Sequence, residues 1–265
     1  MAEGQLIQRG AAGLPSILAT GGTVTDIEQD GQLFRVHTFT SDGTFDVTRS
    51  GEVEYLVVAG GGPGGNAFTS TLRRGGGGGA GGLLTGSVAV SIGANSVTVG
   101  AGGIGENHDT YGTDGDSSSV FGLTAIGGGS GGNTSSGVRD GRTGGSGGGG
   151  GNQDGASPIG TGGEGTAGQG NDGADARGSD IAGGGGGAGS AGSDTTRGAG
   201  LALDFTGTTI TYAQGGAAQT VNNVEGASGA ANTGNGGDGG SGDTGSTVNA
   251  GNGGSGIVIV RYRIG

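Results

Sequence analysis

The chain has no cysteine, no tryptophan and no lysine, and its 265 residues include only three prolines. Without cysteine there is no disulfide frame, no thiolate zinc site and no thiol nucleophile. All eleven basic residues are arginine, so a P-loop lysine, Schiff-base chemistry and a lysine general base are excluded too. Three prolines also exclude collagen, which needs proline-rich X and Y positions around a strict glycine repeat. No stretch is long and apolar enough to cross a membrane as a helix. The opening MAEGQLIQRGAAGLPSILATGG has neither the basic nor the apolar region of a secretory signal. A formal charge of −12 with no basic stripe argues against a nucleic-acid partner.

What the chain has instead is glycine, 78 residues of it, with only 29% hydrophobic and 4% aromatic residues. Ordinary soluble domains carry about 7% glycine. Side chains alone could not fill a conventional core of this length. Low hydrophobicity with a high net charge favours disorder by composition, but the distribution along the chain argues otherwise.

Convincing strand sequence flanks the glycine runs. QLFRVHTF alternates Phe34, Val36 and Thr38 against Arg35, His37 and Phe39, as a half-buried strand does. The following SDGT carries Asp-Gly turn chemistry, so Gln32 to Val47 reads as a hairpin. EVEYLVVAGGG is a third strand that runs into glycine. LLTGSVAVSIGANSVTVGAGG reads as two more, turning at Gly93-Ala94-Asn95, and SVFGLTAIGGG and SGIVIVRYRIG as others. A Gly/Ser linker is uniform and separates complete domains; here each glycine run grows out of a strand. Residues 1–30 read as a separate leader and 31–265 as one glycine-rich domain.

The glycine runs also repeat in threes. Gly141, Gly144, Gly147 and Gly150 are in phase, as are Gly183, Gly186, Gly189 and Gly192, and Gly236, Gly239, Gly242 and Gly245. Three residues per turn is the repeat of the polyproline-II helix, which makes no internal hydrogen bonds. A lone glycine helix of this kind would melt, because fixing glycine costs more entropy than fixing any other residue. Packed side by side, such helices approach closely and bond N–H to C=O between rods, for roughly 0.5–1.5 kcal/mol net per bond. The expected fold is therefore mainly β and irregular: a β-strand base with packed polyglycine-II helices and essentially no α-helix. GNGGDGGSGDTGSTVNAGNGG, residues 234–254, is expected to form one or two of the rods.

The phrases FRVHTFTSDGTFDV, EYLVVAGGGPGG, GGGGGAGGLLTGSVAVSIGANSVTVGAGGIG, SSVFGLTAIGGGSGG and GGSGIVIVRY occur in that order. Together they resemble the glycine-rich domain of bacteriophage tail-fibre and tail-tip adhesin proteins, over roughly Gly31 to Arg263. The resemblance implies a β-rich base and a sandwich of polyglycine-II helices whose loops bind the host surface. It also implies a location in the virion, on the tail or another exposed appendage, after synthesis in the host cytoplasm. The leader would then join other virion proteins, and the chain could be a homotrimer. A similar glycine-rich region in animal receptor tyrosine kinases comes with cysteines, a signal peptide and a kinase, none of which is present here.

If glycine is the scaffold, specificity falls to the segments that interrupt it. NAFTSTLRR offers Phe68, Arg73 and Arg74; ENHDTYGTDGD offers His108 and Tyr111. DTTRGAGLALDFTGTTITYAQ offers Phe205 and Tyr212, and AAQTVNNVEGAS offers Asn222 and Asn223. NQDGASPI is a further interruption. Aromatic and arginine side chains are the usual anchors of contact surfaces, and Asn, Asp and Arg bond hydroxyls. A bacterial surface polysaccharide and an outer-membrane protein are both compatible receptors.

Little in the sequence suggests chemistry. GQGNDGAD is similar to one turn of a calcium-binding nonapeptide repeat, but it has Ala174 where a large apolar residue belongs and no tandem copy follows. Asp114 and Asp116 supply too few oxygens for a calcium loop. The expectation is a protein that is not an enzyme, with no catalytic residues, metal or cofactor, no nucleic-acid partner and no membrane insertion. A purely structural virion component, such as a head fibre, decoration or tail spacer protein, is the alternative. An ice-binding bundle would need a flat face of small residues, which the charged interruptions spoil.

Overall fold

Alternating apolar residues in the longest strands point to two faces, and both faces are covered. The computed structural model describes residues 17–67, 73–106, 109–135, 137–153, 159–178, 180–243 and 248–264. Its strands are β1 (Leu18–Thr20), β2 (Thr23–Gln29), β3 (Gln32–Phe39), β4 (Gly43–Arg49), β5 (Gly51–Val58), β6 (Arg73–Arg74), β7 (Leu83–Val90) and β8 (Gly93–Val97). They continue as β9 (Ser118–Val120), β10 (Leu123–Ala125), β11 (Asn152–Gln153), β12 (Leu201–Leu203), β13 (Ile210–Tyr212), β14 (Ser241–Gly242) and β15 (Ile257–Arg263). No helix occurs among the described residues.

A five-stranded antiparallel sheet, ordered β2-β3-β15-β5-β7, forms the base. One face carries Phe39, Val53, Val57, Val258, Val260 and Tyr262. It packs against Phe45, Val47 and Val97 of the three-stranded sheet β1-β4-β8, and against Val120 of the β9–β10 hairpin. The opposite face carries Val36, Leu56, Val58, Ile257 and Ile259 and is covered by Phe205 and Tyr212 of the β12–β13 hairpin.

Two expected turns are corrected. β3 and β4 do not form a hairpin; β3 pairs with β2 and β15, whereas β4 pairs with β1 and β8. Gly93, Ala94 and Asn95 lie inside β8, and β7 and β8 belong to different sheets. In each case the chain crosses the sandwich, because both connected strands have a buried face to place against the other sheet. Part of the segment read as a leader also lies in the sheets. β2 pairs with β3 along its whole length and β1 pairs with β4, so residues from Ile17 onward are part of the sheets.

From this base the glycine segments run out as rods and return. The rod of residues 75–81 shows how they hold together. Gly76 and Gly79 donate to the carbonyls of Gly132 and Gly129, Gly77 and Ala80 to Gly183 and Gly186, and Gly78 and Gly81 to Gly237 and Gly234. Carbonyls of the same rod accept from Gly65 and Gly62, from Gly149 and Ser146, and from Gly216. Three neighbours take bonds and three others give them, so the rod is surrounded by six. Every third residue meets the same neighbour, which is the repeat of a polyproline-II helix. None of its glycines is among those with positive φ, as the left-handed helix requires. Within 234–254, residues 234–240 and 249–254 are joined to other rods through Gly236, Gly239, Gly251 and Gly254.

Glycine is required here for room. A Cβ on Gly77 would stand 2.0 Å from the Gly216 carbonyl oxygen, and one on Gly76 2.0 Å from that of Gly149. Where no carbonyl is available, an Asx side chain takes its place. Asp114 accepts from the Ser130 N–H at 2.9 Å, Asp140 from Thr161 at 2.8 Å, Asn235 from Gln214 at 2.9 Å and Asp238 from Ala217 at 2.9 Å. Asp172 and Asp175, in the stretch similar to a calcium repeat, accept from Gly165 and Gly162, each at 2.8 Å. Five of the 23 acidic residues are thus built into the lattice.

Candidate functional site

The rods give the molecule two poles. Ile17 lies against Gly51 at the start of β5, and Ile264 bonds Leu33 at the start of β3. Both described chain ends therefore sit on the sheet side, away from the rods. The rod leaving β5 runs from Ala59 to Ala67, which at about 3.1 Å per residue carries it roughly 25 Å outward. At that distal pole β6 lies between β11 and β14, pairing Arg74 with Asn152 and Ser241 and Arg73 with Gln153 and Gly242.

Loops clothe both faces of this small platform. On one face Arg74, only 7% exposed, donates from Nη1 to the Gln219 carbonyl at 2.7 Å and from Nη2 to Asn222 Oδ1 at 3.3 Å. Asp180 lies 4.0 Å from the same guanidinium. Asn222 Nδ2 donates to Asp243 at 3.0 Å, and Asn223 Oδ1 accepts from the Asp243 N–H at 3.0 Å. Asn223 holds a φ of 58°, a left-handed conformation that asparagine tolerates better than most residues. On the other face Arg139 donates to Gln153 at 2.9 Å. Burial pushes the Arg73 guanidinium below its ordinary range, helped by the nearby Arg139 charge and opposed by Asp109. Tyr111 lies half-buried on the same pole under the Arg142 guanidinium, 5.5 Å from its ring centre. Burial foremost, with Asp140 adding, raises the Tyr111 phenol, while Arg142 opposes. Arg142 also pairs with Asp114 at 2.9 Å.

Of the residues expected to contact a receptor, Arg73, Arg74, Tyr111, Asn222 and Asn223 gather at this pole. Arg74 is enclosed beneath the loops rather than displayed. Phe205 and Tyr212 are at the other pole, 8% and 1% exposed in the core under the five-stranded sheet. Their hairpin is apolar at alternate positions because it must cover a sheet face, so neither ring offers contact surface. Phe68 and His108 lie outside the described residues. Arg139, Asp180 and Asp243 also reach this pole and were not singled out in the sequence. Each stands in short glycine-rich sequence with no aromatic beside it. No group of three His, Cys, Asp or Glu side chains placed to hold a metal occurs among the described residues.

No curated protein matches the chain. The family model of the glycine-rich domain matches residues 39–263, from the end of β3 to the end of β15. By that match, which takes in β4 to β15 and the rods between them, the chain belongs to the glycine-rich domain family.

Proposed function

We propose that this chain is a bacteriophage virion protein, a tail-fibre or tail-tip adhesin that binds a host-cell surface receptor through its distal loops. The observation that carries the reading is the separation of the two poles. Both described chain ends leave from the sheet base, where a leader would join other virion proteins. Arg73 of the β6 platform and polar loops bearing Tyr111, Asn222 and Asn223 crown the opposite end of a backbone-bonded scaffold. The ordered resemblance to phage adhesin glycine-rich domains supplies the biological setting, and a bacterial polysaccharide or outer-membrane protein is the receptor class. Loops can vary on such a scaffold without altering the bonds that stabilise it.

The burial of Arg74, Phe205 and Tyr212 favours a second reading, since it leaves fewer exposed anchors than a receptor-binding surface usually has. On that reading the chain is a structural virion component and touches only other virion proteins. Protease challenge followed by binding of the labelled chain to a panel of bacterial strains separates the two. Resistance with selective binding to some strains supports the adhesin. Resistance with no strain bound, together with co-purification with virion particles, supports the structural role. Rapid digestion would sink both, because each needs the folded lattice.

A further inference from the structure

Beneath the distal loops, the pairing of β6 with β11 and β14 sets Asn152, Arg74 and Ser241 in one cross-strand row. Directly opposed residues of an antiparallel ladder share a face, with Cβ atoms about 5 Å apart. All three are enclosed, at 0%, 7% and 0% exposure. Each has one polar atom without a hydrogen-bond partner: Arg74 Nε, Asn152 Oδ1 and Ser241 Oγ. Buried polar groups are almost always bonded, so three such atoms in one row call for a shared partner.

The rest of each side chain defines what that partner must be. Asn152 Nδ2 donates to the carbonyls of Arg177, Gly178 and Ile181, at 3.2, 3.3 and 3.0 Å. Those bonds commit the amide nitrogen and leave Oδ1 as an acceptor. Arg74 is committed through Nη1 and Nη2 to the loop at Gln219 and Asn222, leaving Nε–H as a donor. That loop lies beside β14, on the Ser241 side of Arg74, through the Val224–Ser241 bridge. The row thus presents one donor, one acceptor and one hydroxyl able to act as either. An anion would satisfy Arg74 and be repelled by Asn152 Oδ1, and a cation would do the reverse. An O–H group satisfies both.

We propose that Arg74, Asn152 and Ser241 form a site for a single hydroxyl oxygen, which accepts from Arg74 Nε and donates to Asn152 Oδ1. Water supplies this chemistry, and so does a saccharide hydroxyl reaching under the loops; the second source rests on the adhesin reading, whereas the first does not. A crystal structure of the full chain grown without polyols tests the site. The expected result is one spherical density peak within about 3.2 Å of the three atoms, unchanged by soaking in inorganic phosphate and lost in Ser241→Ala. In a second soak, with oligosaccharide released from the surface of a bound strain, a peak that stays spherical identifies water. One that becomes continuous with a sugar ring identifies the saccharide. No peak in the wild type, or tetrahedral phosphate density on Arg74, overturns the site. Failure of the site leaves cell binding intact, and failure of cell binding leaves the peak, so the two ideas fall separately.

Discussion

Gly77 and Gly216 belong to neighbouring rods that approach so closely that a Cβ on Gly77 would lie 2.0 Å from the Gly216 carbonyl oxygen. That contact cannot relax by turning a side chain, because both partners are backbone. Gly77→Ala must push two rods apart and weaken the bonds each makes to its other neighbours. We expect a loss of about 3 kcal/mol or more, at or beyond the upper end for overpacked cores. Gly105→Ala is the control, since its nearest neighbours would be 3.8–4.0 Å away. Denaturant midpoints should fall sharply for the first and hardly move for the second.

Arg74 holds the 219–222 loop by two charge-assisted hydrogen bonds. Bonds of this kind contribute about 1.5–3 kcal/mol each, so Arg74→Ala, which loses two, should cost about 3 kcal/mol or more. Amide hydrogen exchange should rise in residues 219–224 and remain unchanged in the β12–β13 hairpin at the opposite pole.

His37 is fully buried, with Nδ1 2.7 Å from the Gly21 carbonyl and Nε2 3.2 Å from the Tyr262 hydroxyl. The Ala19 N–H donates to that hydroxyl, which leaves its own proton for His37 Nε2. The ring is therefore neutral, with Nδ1 donating to Gly21. Burial foremost, with the Arg35 charge adding, lowers its pKa from the ordinary 6.5, against opposing effects of the Gly21 carbonyl and Asp26. A lowered folded pKa means that the unfolded chain binds the proton more readily. Stability is thus whole above pH 6.5 and declines as pH falls from there to the folded value, below which this slope ends. Unfolding measured between pH 7 and 5 in a His108→Gln background should show the slope, and His37→Gln should abolish it.

Phe205 packs over the five-stranded sheet with its ring 4.5 Å from the Arg261 guanidinium, which also pairs with Glu54 at 2.7 Å. Phe205→Ala should cost about 3 kcal/mol, as buried Phe→Ala changes usually do. If the distal pole carries recognition, the folded variant keeps the cell binding of the wild type.

The strands were legible because alternation is a property of side chains: Val36, Leu56 and Ile259 face one way and Val57 and Val258 the other. Pairing was less legible. Asp42-Gly43 looks like a hairpin turn, yet Asp42 uses its carboxylate to accept the Val99 N–H at 2.8 Å while the chain crosses to the other sheet. The threefold glycine phase was visible, but which rods are neighbours was not, since a glycine carries no side chain to name its partner. The missed signal was the Asx residues. Asn235 and Asp238, spaced by three, bond Gln214 and Ala217, themselves spaced by three. At the site, arginine and asparagine were recognisable as interruptions of the glycine pattern. Phe205 and Tyr212 were not separable from them until the sheet they cover was known.

The most direct test of the account compares cell binding by three forms of the labelled chain, using a strain that the wild type binds. One is wild type, one carries Arg73→Glu with Asn223→Arg at the distal pole, and one carries Glu52→Lys, exposed on the sheet base. Each is first shown to unfold at the wild-type midpoint. The account predicts at least a tenfold weaker affinity for the distal double variant, about 1.4 kcal/mol or more, and wild-type affinity for Glu52→Lys. Equal binding by all three, or a loss confined to Glu52→Lys, would contradict it.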